Sequence, residues 1–100
     1  MAAYAIEFAK SVKTHLGALT AGQRTTVLDA IERQLTSEPL LETRNRKPLR
    51  PNPIAPWELR VGALRVFYEV ATTPAPVVRV LAVGIKDRNV VRIAGQEFQL

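Results

Sequence analysis

The chain has 100 residues, a net charge of +5 and no cysteine, which excludes a disulfide framework and a thiolate zinc site. Its length predicts one domain, and an apolar content of 47% is ordinary for a globular protein. No apolar run approaches the roughly 20 residues of a membrane span, and no signal peptide is evident at the N-terminus. We therefore expect a cytoplasmic protein that does not contact membranes. The positive charge suits a polyanion or an acidic protein, or serves solubility alone.

The first part of the chain predicts one strand followed by two helices. Residues 3–8 alternate loosely, which indicates a strand, and residues 9–19 carry apolar side chains at helical spacing. Thr20 and Gln23 have the spacing of a capping box. The apolar residues behind them repeat at three- and four-residue steps, which predicts an amphipathic helix over residues 21–35, ended by a proline. The two helices form a hairpin that can cover one face of a sheet.

A basic loop follows over residues 42–56. Its four prolines exclude a helix and an interior strand, and they lower the conformational entropy of the loop. We therefore predict an extended and fairly fixed segment. It is dense in positive charge, with Arg44, Arg46, Lys47 and Arg50.

The remainder of the chain predicts the sheet. Residues 57–61 and 65–70 alternate between apolar and polar side chains, and residues 77–85 are almost wholly apolar. The short connections between these three segments predict an antiparallel meander. Residues 89–94 are a further strand candidate, with a hairpin to a last strand over residues 97–100.

Four segments carry a resemblance to a known family: KPLR at 47–50, WELRVG at 57–62, LRVFYEV at 64–70 and VVRVLAVGIK at 77–86. In order and spacing they resemble the core of the RelE/ParE toxins of bacterial type II toxin–antitoxin systems. The resemblance implies an α+β, RelE/ParE-like fold over the whole chain, with an N-terminal strand, a helical hairpin and an antiparallel three- to four-stranded sheet. It also implies a cognate antitoxin protein as a partner. We expect no cofactor.

The resemblance leaves three activities open. A RelE-like protein would be a ribosome-associated endoribonuclease that cleaves mRNA and inhibits translation. A ParE-like protein would poison DNA gyrase by binding, which requires no catalytic acid or base. A non-catalytic member would bind its antitoxin alone.

The basic residues form the candidate RNA-binding set. If the helices cover the face that carries Leu59 and Val66, then Arg60, Arg65 and Phe67 emerge on the opposite, open face, bordered by the basic loop. Such a concave basic surface suits phosphate oxygens, which arginine binds bidentately. Pairing with an acidic antitoxin and simple solvation are the alternatives, and the exposed aromatic ring would stack on a base or contact an antitoxin. The predicted RNA-binding residues are Arg44, Arg46, Lys47, Arg50 and Arg60.

The candidate catalytic residues are Arg65, Lys86, Arg88 and Glu58. Arg65 stands at the arginine of the family's G-x-x-R-V motif, and the resemblance implies that it stabilises charge on the scissile phosphate. A structural ion pair with Glu58 or Glu69 is the alternative. RNA cleavage by a 2′-hydroxyl also needs a base and an acid. Glu58 is the candidate base, and Lys86 or Arg88 could assist as the acid.

The chain departs from the well-known nucleases of the family at several positions. RelE has lysines where this chain has Trp57 and Glu58, and it has a late tyrosine, whereas no tyrosine follows Tyr68 here. Other members use a loop glutamate where this chain has Lys47, and a late histidine, whereas the sole histidine here is His15 in the first helix. We expect Tyr68 to pack in the core, and the acidic residues show no spacing typical of a metal site.

Overall fold

The structure, a computed structural model, describes residues 3–99 and has the expected α+β class. In chain order its elements are β1 (Ala5–Phe8), α1 (Val12–Gly17), α2 (Ala21–Leu35), β2 (Arg46–Pro48), β3 (Trp57–Val61), β4 (Leu64–Ala71), β5 (Val77–Asp87), β6 (Val90–Ile93) and β7 (Gln96–Phe98). Helix α2 has its predicted bounds, whereas α1 is shorter than predicted. The prediction for the last strand includes Leu100, which lies outside the described residues. Within residues 3–99, no helix has the length and apolar character needed to cross a membrane.

The strands of the described residues join one seven-stranded sheet in the order β2-β3-β4-β5-β6-β7, with β1 paired to β5. Strands β3, β4 and β5 form the predicted antiparallel meander. Strand β1 instead runs parallel to β5, from Ala5 opposite Val77 to Phe8 opposite Val80. The sheet is larger than the three to four strands expected because short strands extend its edges. One of these is β2, which ends at Pro48 on an edge, where proline is tolerated.

Helix α2 begins and ends where its sequence signals place the boundaries. The predicted capping box is confirmed: the Gln23 N–H donates to Thr20 Oγ1 at 3.1 Å, and the Thr20 N–H donates to Gln23 Oε1 at 2.9 Å. These two bonds satisfy amides that an uncapped helix leaves without partners. The buried side chains of α2 form one stripe, which comprises Val27, Ala30, Ile31 and Leu35.

Both helices pack against one side of the sheet, called here the helix face. Tyr68 is fully buried there, and its ring stacks on Trp57 with 6.1 Å between centroids. The Tyr68 hydroxyl donates to the Pro39 carbonyl at 2.7 Å, and burial raises the pKa of this phenol. The predicted packing role of Tyr68 is therefore confirmed. The buried core on this face comprises Val12, Leu19, Val27, Ile31, Leu35, Leu59, Leu64, Val66, Tyr68, Val78, Val80 and Val83.

The opposite side of the sheet, called here the loop face, is partly covered rather than open as predicted. A second apolar cluster lies there, built from Ala55, Phe67, Ala82, Val91 and Ile93. The loop between β2 and β3 and the hairpin of β6 and β7 supply its outer members. Phe67 is fully buried, so the prediction that it stacks on a base or contacts an antitoxin is wrong. Alternation assigns a side chain to a face and does not reveal whether another segment covers that face.

Strands β5 and β6 approach each other closely at Gly84. A Cβ atom at this position would lie 2.5 Å from the Arg92 carbonyl oxygen and 2.8 Å from Ile93 Cγ1. Such distances are too short for any side chain, so only glycine permits this approach. The contact brings Ile93 and the hairpin that follows it over the loop face.

His15 fills a gap along the edge of β5. Strand β1 pairs with residues 77–80 of β5 and β6 pairs with residues 85–87, so the Val83 amide lies between the two partners. His15 Nδ1 accepts a hydrogen bond from the Val83 N–H at 3.3 Å. The imidazole is half-buried, and burial lowers its pKa. His15 therefore has a structural role at the sheet edge.

Candidate nucleic-acid interface

A cavity of about 440 Å³ lies on the loop face and is called here the basic cavity. Its lining contains four cationic side chains and one acidic side chain. The lining residues are Lys47, Pro48, Leu49, Arg50, Pro51, Asn52, Glu58, Arg60, Lys86, Asn89, Val91 and Gln99. Five of the predicted site residues are therefore brought together: Lys47, Arg50, Glu58, Arg60 and Lys86.

The register of the sheet explains why these charges meet. Lys47 of β2 lies opposite Glu58 of β3, so both project from the same face. Arg60, two residues beyond Glu58, projects from that face as well and lies opposite Arg65 of β4. Lys86 follows on β5, two residues after the partner of Arg65. Residues distant in the chain thus form one row of charge across four strands.

Glu58 is the centre of the charge cluster. Its side chain is 7% exposed, although it lines the basic cavity. Arg60 Nε donates to Glu58 Oε2 at 3.1 Å, and Arg65 Nε lies 3.8 Å from Glu58 Oε1. Two guanidinium groups therefore compensate one buried carboxylate, as a buried charge requires.

Arg65 lies on the predicted face but beneath the surface. Its side chain is 11% exposed, and its Nη1 donates to the carbonyls of Gly62 and Leu64 at 2.7 and 2.9 Å. Burial lowers the pKa of this guanidinium, and the negative charge of Glu58 opposes that effect. Arg65 therefore fixes the turn between β3 and β4 and supports Glu58. The alternative of an ion pair between Arg65 and Glu58 agrees with this geometry. Arg65 does not belong to the lining of the basic cavity, and its role at a phosphate stays a prediction.

Arg46, a member of the predicted RNA-binding set, lies apart from the basic cavity. It lies opposite Leu59, so it projects toward the helix face and away from Lys47, its neighbour in the chain. Its Nη1 donates to the Gln34 carbonyl at 2.6 Å, and its Nε donates to the Leu41 carbonyl at 3.1 Å. The bond to Gln34 satisfies a carbonyl in the last turn of α2, where a cation is favourable, and the bond to Leu41 holds the segment that follows the helix. The proline loop had no period from which this orientation could be predicted.

Arg44 and Arg88 lie apart from the basic cavity. Both are exposed, and neither belongs to its lining. Arg88 occupies the tight turn between β5 and β6 with a φ of 60°. The prediction that these two residues join Lys86 and Arg50 in one site is therefore not met by the geometry of the cavity.

Three amide side chains in the lining were not predicted: Asn52, Asn89 and Gln99. Asn52 and Asn89 stand in turns, where asparagine is common for conformational reasons, so their type gave no functional signal. Gln99 lies three residues beyond the predicted turn at Gly95 and Gln96, within the predicted last strand, and no motif marks it as a functional residue. Asn89 and Gln99 add donors and acceptors to a cavity dominated by positive charge, whereas the Asn52 amide is engaged by backbone groups of its own loop.

The chemistry of the basic cavity is that of an anion site. Within residues 3–99, no group of three or more metal-ligating side chains is assembled. The cavity offers two lysine ammonium groups, two guanidinium groups and one carboxylate. Such a set can hold phosphate oxygens, accept one proton and donate another.

The comparison with solved structures agrees with the architecture. The chain is similar to a chain of the RelBE2 toxin–antitoxin complex from Mycobacterium tuberculosis, with a TM-score of 0.71 and 25% sequence identity. The match covers 84% of this chain and 99% of that one. The fold is that of a RelE-type toxin. This confirms the resemblance of the four sequence segments at the level of fold. No family model and no curated protein sequence matches the chain.

Proposed function

We propose that this chain is the toxin of a type II toxin–antitoxin system and acts as a RelE-like mRNA interferase that inhibits translation in the cytoplasm. The basic cavity is the observation that carries the proposal, because it gathers four cations around one carboxylate on the face away from the helices. A cognate antitoxin is the proposed protein partner, in keeping with the solved complex that shares this fold.

The cavity cations would hold the RNA backbone. Arg50 and Arg60 offer planar donor pairs for phosphate oxygens, whereas Lys47 and Lys86 act as point charges. Contacts of this kind give affinity that falls steeply with salt and carry little sequence information. The exposed Arg44 and Arg88 would add contacts to RNA outside the cavity.

The cavity also contains candidates for each step of cleavage. Glu58 would take the proton from a ribose 2′-hydroxyl as its oxygen attacks the adjacent phosphorus. Arg60 would stabilise the extra negative charge on the phosphate, and Lys86 would give a proton to the departing 5′-oxygen. The products are a 2′,3′-cyclic phosphate and a free 5′-hydroxyl. Arg65 would act through Glu58, since its guanidinium lies beneath the cavity.

A ParE-like gyrase inhibitor is the second candidate. Both oxygens of Glu58 already face guanidinium groups, at 3.1 Å and 3.8 Å. A carboxylate engaged in this way must release one partner before it can act as a base. Inhibition by binding requires no such rearrangement.

Two assays on the same purified protein test these candidates. The first incubates it with mRNA on translating ribosomes and maps new 5′ ends by primer extension. The second measures supercoiling by DNA gyrase at saturating protein. We expect mRNA cleavage and normal supercoiling. Intact mRNA in the presence of folded protein would contradict the nuclease proposal, and blocked supercoiling in the same experiment would favour the second candidate.

A further inference from the structure

The loop between β2 and β3 is held together by one side chain, that of Asn52. Its Nδ2 donates to the carbonyls of Arg50 and Ala55 at 2.7 and 2.9 Å. Its Oδ1 accepts from the N–H groups of Ile54 and Ala55 at 2.8 and 3.0 Å. One half-buried amide thus satisfies four backbone groups of a segment that belongs to no helix or strand.

The orientation of the Asn52 amide follows from these partners. Its oxygen faces two N–H donors and its nitrogen faces two carbonyl acceptors, so a reversed amide would place like groups together at all four contacts. No other residue type carries an amide oxygen and an amide NH₂ group at this side-chain length. An aspartate would place a carboxylate oxygen against the carbonyl oxygens of Arg50 and Ala55. An alanine would leave all four backbone groups without a side-chain partner.

The same loop places a cation in the basic cavity. It is closed at its base, where the Leu49 N–H donates to the Pro56 carbonyl at 2.8 Å. Ala55 is buried in the apolar cluster of the loop face, which anchors one side of the loop to Phe67. Arg50 stands on the other side, in the cavity lining, and its carbonyl is bound by Asn52. Asn52 therefore joins the anchored side of the loop to the side that carries charge.

We propose that Asn52 is a positioning residue, which holds the loop of residues 49–56 in the closed form that keeps Arg50 at the basic cavity. The proposal rests on the proposed function, since it concerns the same anion site. Lys47 is held in place by the β2–β3 ladder, so its position at the cavity does not depend on Asn52. Loss of the Asn52 amide should therefore act on the site through Arg50 alone.

A double-mutant cycle tests this coupling. Binding of a short single-stranded oligoribonucleotide is measured for the wild type, Asn52→Ala, Arg50→Gln and the double variant, with exposed Asn45→Ala as the matched control. We expect Asn52→Ala to weaken binding about fivefold in the wild-type background and by less than about twofold in the Arg50→Gln background. An equal loss in both backgrounds, or no loss in either, would overturn the positioning role. If Asn52→Ala does not fold, Asn52→Ser takes its place in the cycle, because serine keeps an acceptor oxygen.

A second probe separates this inference from the proposed nuclease function. Inorganic tripolyphosphate is titrated against the same variants, and hydrogen exchange of the Ile54 and Ala55 amides reports on the loop. Weaker tripolyphosphate binding and faster exchange in Asn52→Ala would support the positioning role. They would do so even if the wild type leaves mRNA intact, because intact mRNA contradicts only the nuclease proposal. Equal tripolyphosphate affinity in the wild type and Asn52→Ala would overturn the positioning role. A wild type that binds neither RNA nor tripolyphosphate would overturn both.

Discussion

Arg65 Nε lies 3.8 Å from Glu58 Oε1, and both side chains are almost wholly removed from solvent. The same arginine binds the carbonyls of Gly62 and Leu64, so the pair connects the basic cavity to the turn between β3 and β4. In this arrangement the motif arginine supports the carboxylate, and the more exposed Arg60 is the guanidinium that can meet a phosphate. Its side chain is 38% exposed.

Replacing Glu58 should destabilise the fold. Glu58→Gln removes the charge that compensates buried Arg65, and breaking a buried pair from one side costs about 3 kcal/mol. Urea unfolding monitored by circular dichroism measures this free energy. Asp29→Asn is the matched control, because Asp29 pairs with Arg33 at the surface and should cost less than about 1 kcal/mol. Equal losses in the two variants would contradict the structural importance of the Glu58 cluster.

Two glycine-to-alanine changes should have opposite effects on stability. At Gly84 a Cβ would lie 2.5 Å from the Arg92 carbonyl oxygen, so Gly84→Ala should lower the free energy of unfolding by about 2 kcal/mol. At Gly22 a Cβ would meet no atom within 4 Å, and Gly22→Ala in helix α2 should raise that free energy by about 0.5 kcal/mol. Thermal unfolding of the two variants checks both signs. A stabilised Gly84→Ala protein would show that β6 does not lie against β5 as described.

His15 should make stability depend on pH. Its Nδ1 accepts the Val83 N–H and burial lowers its pKa, so the folded state disfavours the imidazolium. His15 therefore stabilises the fold fully above its ordinary pKa of about 6.5. This stabilisation is lost as the pH falls from there through the lower pKa of the folded state. His15→Phe should cost about 1 kcal/mol at pH 8, and the difference from the wild type should shrink at pH 5. Urea unfolding at both values measures it, and a constant difference would refute the role assigned to the Nδ1 bond.

Local signals predicted the regular elements well. The Thr20–Gln23 capping box and the apolar stripe behind it located α2, because both depend on residues within a few positions of each other. Alternation located the central meander and placed Arg60 and Arg65 on one face, since the period of a strand is fixed at two.

The features that the sequence did not predict depend on contacts between residues distant in the chain. Phe67 is buried because Ala55 and Ile93, from separate segments, pack over it. Arg46 and Lys47 are neighbours that project from opposite faces, and the short strand β2 offered too few residues to show this. The sequence thus predicted that the candidate site is positively charged. It could not predict which cations line the cavity or that Arg46 projects from the other face, because both depend on the fold.

The most direct test of the central claim is the rate of mRNA cleavage on ribosomes by Arg60→Gln and Arg33→Gln. The two variants lose the same charge, but Arg60 lines the basic cavity and Arg33 lies exposed on helix α2. We predict that Arg60→Gln lowers the cleavage rate about 100-fold and that Arg33→Gln retains the rate of the wild type. Equal cleavage by both variants, with both folded, would contradict the assignment of the basic cavity as the site of RNA cleavage.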